Sequence, residues 1–203
     1  MGKREAYRAH AITDASRRQI AGFTDQSARQ VYAASIRREL ARQGGADRPV
    51  VVRDAASLAK LRDHAQGVAK SVQHTYNRML KDQVDAQPDS LSDAERERLL
   101  QPFLRSARAY NQNTLIPYTT NYARLQGRSD FYRQNDLLDQ TRWEWEQQDD
   151  YPDGCADAEA ASPASYDALV QLAGGEPPVH PNCGCDITPS EAVALPDNPW
   201  IGA

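Results

Sequence analysis

Apolar residues three and four positions apart dominate the first half of the chain. The cleanest run is Leu58, Leu61, Ala65, Val68, Val72, Tyr76 and Met79. Such steps bring side chains back to one side of an α-helix, so the run predicts a helix over 54–86. Asp54 can cap its start, and Pro88 lies just beyond its end. Ile20, Phe23, Val31, Ile36 and Leu40 predict an earlier helix over 14–43, closed by Gly44 and Gly45 and weakened at its start by Gly22. Ser92-Asp93-Ala94-Glu95 is a capping box that opens a third helix with Leu99, Leu100, Phe103 and Leu104 on its apolar face. Pro102 should kink or restart that helix. Another helix should follow Pro117 through Tyr118, Tyr122 and Leu125, with Gly127 as its end. A short helix or turn with Phe131, Tyr132, Leu137 and Leu138 leads onward.

The period changes at Thr141. Thr141, Trp143 and Trp145 alternate with Arg142, Glu144 and Glu146, which predicts a strand with both tryptophans on its inner face. Tyr151-Pro152-Asp153-Gly154 is a turn signal. Ser165 can cap a short helix through Leu169 and Leu172, ended by Gly174 and Gly175. Pro177 and Pro178 then impose an extended path, and the proline-punctuated end reads as an extended tail. The expected fold is α+β and mostly α: long helices, then a small C-terminal α/β module. The expected division is a helical region at 1–113, the module at 114–190 and the tail at 191–203.

With 203 residues the chain is long enough to bury a core, and a mean hydropathy of -0.74 fits a wet surface. No apolar run approaches the ~20 residues of a membrane span, and no apolar stretch follows the basic start as a secretory signal would require. The net charge of -4 is unevenly spread. Residues 1–48 carry ten Lys/Arg and five Asp/Glu, whereas residues 143–203 carry twelve acids and no Lys or Arg. A basic arm containing Arg17, Arg18, Arg37, Arg38 and Arg42 can touch phosphates or an acidic protein surface; solvated helix faces explain it equally well.

All three cysteines lie within residues 155–185, together with His180, in the closing segment His180-Pro181-Asn182-Cys183-Gly184-Cys185. Cys155, His180, Cys183 and Cys185 make a Cys3His set, the complement of a closed tetrahedral zinc site. Gly184 lets the chain bend so that both flanking thiols can meet one ion. The same residues also permit three buried thiols, or one disulfide and a lone thiol, or a Cys–His nucleophile pair. A zinc deaminase would need a glutamate where Asn182 stands and two residues between its cysteines. No metalloprotease helix, phosphate loop or nucleophile elbow is present. Glu144 and Glu146 fall on the solvent side of the predicted strand, so with Asp149 and Asp150 they read as surface acids. His10, His64 and His74 fall on predicted helices and read as surface or half-buried residues.

The order of these elements resembles the C-terminal module of the tailed-phage head-morphogenesis proteins, the minor head or minor capsid proteins of the Mu-type and SPP1-type group. The resemblance runs over about residues 115–190. It rests on Tyr122 to Tyr132, Arg142-Trp143, Asp149-Asp150, Cys155, Leu169-Val170-Gln171-Leu172, and above all Pro177-Pro178-Val179-His180-Pro181-Asn182-Cys183-Gly184-Cys185. Two positions depart from the family pattern: Ala158 stands where a second cysteine is usual, and Gly184 where an arginine is. The resemblance implies a virion structural and assembly protein, found in the head and, during assembly, in the host cytoplasm. It implies work by docking rather than catalysis, with the portal or major capsid protein as partner. Packaged DNA on the basic arm, a homo-oligomer through the long helices, and a Trp200-Ile201 anchor are further expectations. No membrane partner is expected. The rival readings are a metal- or thiol-dependent hydrolase of head maturation or host entry, and a DNA-binding module built on the basic arm.

Overall fold

The structure, a computed structural model, describes residues 2–44, 54–147, 154–179 and 183–197. It is mostly helical, with one small sheet near the C-terminus. Helices α1 (Lys3–His10), α2 (Asp14–Arg42), α3 (Ala55–Asp85), α4 (Asp93–Tyr110) and α5 (Ile116–Gln134) come first. Then follow β1 (Trp143–Glu146), α6 (Gly154–Ala160), α7 (Tyr166–Ala173) and β2 (Asp186–Pro189). The caps match their residue types. The Thr13 hydroxyl accepts from the Ser16 amide, the Asp54 carboxylate from Ser57, and the Ser165 hydroxyl from Ala168. Ser92 and Glu95 form the expected capping box, and Gly174 closes α7 in the left-handed conformation.

Leu61, Ala65, Ala69 and Val72 of α3 are buried, as are Ala28, Tyr32, Ile36 and Leu40 of α2. The helical stripes hold at these positions. They fail at Phe23, Met79, Leu99 and Leu172, which are 70%, 48%, 49% and 44% exposed. Spacing places a side chain on a face, but the neighbouring helix decides how far along that face the cover extends.

Two expectations about helix ends are corrected. Pro102 does not restart a helix, since α4 runs through it to Tyr110. A π-helical segment, Asn111–Leu115, then joins α4 directly to α5. Gly127 does not end α5; it lies in its middle, where the helix presses on α2. A Cβ at Gly127 would stand 2.7 Å from the Tyr32 carbonyl oxygen and 3.0 Å from the Ser35 Cβ, so the glycine serves close packing rather than termination.

The strand at Trp143–Glu146 pairs antiparallel with β2, Trp145 opposite Ile187 and Glu144 opposite Thr188. Trp143 and Trp145 are buried and the two glutamates exposed, the alternation expected of a half-covered strand. Trp143 packs edge-on against Tyr132 and Tyr166, with ring centroids 4.8 and 5.2 Å away. One buried cluster runs from Ala28, Tyr32 and Leu61 through Phe131 and Trp143 to Cys155, Leu169 and Ile187. A smaller one joins Ala6, Leu80, Val84 and Leu100. Of the tail, Val193 and Leu195 pack on the main cluster, and the Val193 amide donates to the Gln43 side chain at 2.8 Å.

A buried guanidinium ties these parts together. Arg128 of α5 donates from Nε to Glu39 of α2 at 2.7 Å, and from Nη1 to Asp186 of β2 at 2.6 Å and to the Ile187 carbonyl. Burial works against its charge, yet the carboxylates of Asp186 and Glu39 outweigh that and raise its pKa. Replacing Arg128 by Met would leave Glu39, which is 1% exposed, without its cation. Arg128→Met should therefore cost about 3–5 kcal/mol in urea unfolding, and adding Glu39→Gln should restore part of it. Equal stability of the wild type and the single variant would contradict this account.

Candidate metal centre

The three cysteines converge. Cys155, Cys183 and Cys185 are all buried, and their sulfur atoms lie within 4.8 Å of one another. No disulfide joins them. Three sulfurs on one tetrahedral zinc ion, each about 2.3 Å from it, would stand about 3.8 Å apart, so this cluster needs only a small contraction to hold one ion. Three buried cysteines this close together can bind a metal.

Each cysteine has a local reason for its place. Cys155 is the second residue of α6, and of the turn expected at Tyr151-Pro152-Asp153-Gly154 only Gly154 is described. Tyr151, Pro152 and Asp153 lie outside the described residues. The first residue, Gly154, sits so close to the backbone end of α7 that a Cβ would overlap the Leu172 carbonyl. Ala158, one turn on, is fully buried on the same side of α6. Thus α6 starts against the end of α7 and turns Cys155 inward. Cys183 and Cys185 lead directly into β2, whose pairing with β1 fixes their height.

The loop of Cys183-Gly184-Cys185 is held from α5. The Asn121 side-chain amide donates to the Cys183 carbonyl at 3.3 Å and to the Cys185 carbonyl at 3.1 Å. Its oxygen accepts from Arg124 at 2.6 Å, and Arg124 in turn reaches Asp186 at 2.6 Å. A chain of charged hydrogen bonds therefore runs from Glu39 through Arg128, Asp186, Arg124 and Asn121 to the two cysteine carbonyls. Sequence reasoning missed Asn121, Arg124 and Arg128. Their steps of three and four form a polar stripe inside a helix, a signal that one face of α5 meets charged groups rather than apolar ones.

Tyr118 lies nearby; burial raises its phenol pKa, and the charge of Cys183 adds to the effect. His64 of α3 stacks flat on Tyr122, with centroids 3.8 Å apart, and tilts against Tyr118 at 5.3 Å. Its buried Nε2 has no hydrogen-bond partner among the described residues, and burial lowers its pKa to about 4. It is half-buried, as expected, and is outside the sulfur cluster.

The described sequence candidates other than the cysteines are not gathered here. His180, the proposed fourth ligand, lies outside the described residues, as do Trp200 and Ile201. Arg17, which pairs with Asp14 at 3.5 Å, and Arg18 stand near the start of α2, with Arg37 and Arg38 near its end. At 1.5 Å per residue the two pairs are about 30 Å apart and form no single patch. Arg42 donates to the Pro189 carbonyl and so belongs to the fold. No helix among the described residues is long and apolar enough to cross a membrane. No family model, curated protein or solved structure matches the chain.

Two outcomes follow. The free His64 side chain titrates near 6.5, and the folded one near 4, so between these values the unfolded chain holds the extra proton. Stability should fall as pH drops from 6.5 to 4, with the penalty complete below about 4. The urea midpoint of His64→Phe, which keeps a ring in the stack, should gain on the wild type over that interval; parallel curves would refute it. For the cysteines, zinc measured in the purified protein by mass spectrometry should be stoichiometric. It should fall in Cys183→Ser, and be more easily chelated in Asn121→Ala, where the loop loses its clamp.

Proposed function

We propose that this protein is a structural and assembly component of a tailed-phage head, of the minor head protein kind, which works by docking on other virion proteins. The observation that carries the reading is the convergence of Cys155 with Cys183 and Cys185. Cys183 and Cys185 close the most specific part of the resemblance, and Cys155, an earlier element of it, lies in α6 with α7 between them in the sequence. The ordered elements between α5 and β2 also form one packed cluster around Trp143 and Trp145. In this reading zinc is the resident ion, bound by the three thiolates with His180 as fourth ligand, and it staples the module. A closed four-ligand shell leaves no position for an activated water, so the site's role is structural. The portal or major capsid protein is the proposed partner.

The test is particle composition. Heads assembled with the tagged wild-type chain should contain it at low copy number by quantitative mass spectrometry. A chain with Cys155, Cys183 and Cys185 all replaced by serine should be depleted from heads relative to lysate. Heads that form normally and contain none of the wild-type protein would overturn the reading. So would hydrolysis of peptide or cell-wall substrate by the purified protein that the triple variant abolishes while still folded.

A further inference from the structure

Asn121, Arg124 and Arg128 stand on α5, the second half of a continuous helical rod that α4 and the π-helical segment begin. Both arginines reach Asp186 at the start of β2, Arg124 at Oδ2 and Arg128 at Oδ1, each at 2.6 Å. Their other duties differ. Arg128, with a side chain 5% exposed, serves Glu39 and the Ile187 carbonyl. Arg124, whose side chain is 26% exposed, turns Nη2 to the Asn121 side-chain oxygen at 2.6 Å. Asp186 would therefore keep a cation if Arg124 were lost, and the burial of that carboxylate does not depend on Arg124.

The contact with Asn121 has a direction. A primary amide can offer a neighbour either its oxygen or its NH2, and the two ends are nearly the same size. Arginine has donors only, so the Asn121 oxygen must face Arg124. The NH2 is thereby turned to the Cys183 and Cys185 carbonyls, which can only accept, at 3.3 and 3.1 Å. The opposite orientation would set NH2 against a guanidinium and oxygen against two carbonyl oxygens. Arg124 thus decides the sense of the clamp. Its own backbone is held as well: the Ser35 hydroxyl of α2 donates to the Arg124 carbonyl at 2.6 Å, one turn before the close approach of Gly127.

One guanidinium therefore grips residues 183–186 twice, through Asn121 at the carbonyls of both cysteines and directly at Asp186. Fixed carbonyls fix the peptide planes beside the two cysteines, and these planes set where each Cβ and its sulfur point. Gly184 between them imposes no such limit by itself. Cys155 owes nothing to this grip, since it lies on α6 and is set by Gly154 against α7.

We infer that Arg124 is the positioning residue of the thiol site, holding Cys183 and Cys185 in the arrangement that brings their sulfurs to Cys155. Arg128 belongs to the fold; Arg124 belongs to the site. As a statement about metal affinity the inference rests on the reading of the three thiols as metal ligands. As a statement about sulfur placement it does not, so the two can fail separately.

The experiment uses the full chain, stripped of metal and kept reduced. Cobalt(II), read by its thiolate charge-transfer absorption, is the metal probe. Iodoacetamide, read cysteine by cysteine in mass spectrometry, is the thiol probe. Arg124→Met removes both grips and leaves Asp186 to Arg128. It should weaken cobalt binding by about tenfold or more. Labelling of Cys183 and Cys185 should rise relative to Cys155, while the urea midpoint falls less than in Arg128→Met. Arg124→Lys, which keeps the charge without the fork, should recover part of the loss. Asn121→Asp gives Arg124 a stronger partner but aims an acceptor at two carbonyls, so it should weaken cobalt at least as much as Asn121→Ala. Unchanged cobalt affinity in Arg124→Met would overturn the inference, as would wild-type affinity in Asn121→Asp. Labelling that rises equally at all three cysteines would also overturn it, because that is general loosening. A wild type that takes up no cobalt would overturn the metal reading alone, and the labelling ratio would then decide the inference.

Discussion

The guanidinium of Arg128 is the constraint on which the C-terminal part of this protein is built. It projects from α5 to where α2 and β2 meet, and each of those two elements supplies it with acceptors. A buried cation is tolerable only when its donors are all answered, and a buried carboxylate only beside a cation. Glu39 and Asp186 thus have little freedom to be elsewhere. The register of β2 on β1 and the approach of α5 to α2 are coupled through one side chain. A second buried set lies further along the same helix. There the Tyr32 hydroxyl donates to Asp130 at 2.8 Å, and the Ser57 hydroxyl reaches the same carboxylate at 3.0 Å. Burial and the Asp130 charge both push the Tyr32 phenol upward, which keeps it a donor.

The cysteine cluster inherits its geometry from that scaffold. Thiols brought together on loops alone would sample many separations, and a metal would have to order them at an entropic cost. Here Asp186 follows Cys185 directly and is fixed by two arginines, while Asn121 holds the carbonyls of both cysteines. Cys155 approaches from a helix wedged against α7 at a glycine. The sulfurs are therefore placed through the backbone and the residues beside them, so a metal bound by these thiols would find them already set.

The other side of the molecule shows the opposite economy. α4 and α5 serve different neighbours, and the π-helical segment between them lets the rod change partner without a break. Side chains at that changeover cannot pack on both sides at once, so apolar surface is left open beside Asn111 and Leu115. Buried ion pairs and uncovered apolar surface thus lie along one continuous helical run, the first on α5 and the second where α4 gives way to it.

The elements were largely legible in the sequence, because local rules decide them. The 3-4 run of α3, the caps at Asp54, Ser92 and Ser165, the alternation of Trp143 and Trp145, and the glycine stop of α7 each depend on residues within one or two turns. The grouping of the cysteines in the sequence also pointed to a thiol site. What lay beyond the sequence depended on partners far along the chain. Gly127 reads as a helix end until α2 is placed against it. Phe23 reads as core until the length of the α3 contact is known. Charged residues stand in water by default, and only the meeting of the three elements that carry them buries Arg128, Glu39 and Asp186. The sequence by itself determined the long helices, α7, the first strand and the grouping of the cysteines along the chain, since propensity, period and capping act over a few residues. Only the tertiary structure decided which faces were covered and which charges buried, since desolvation depends on neighbours that chain distance does not reveal.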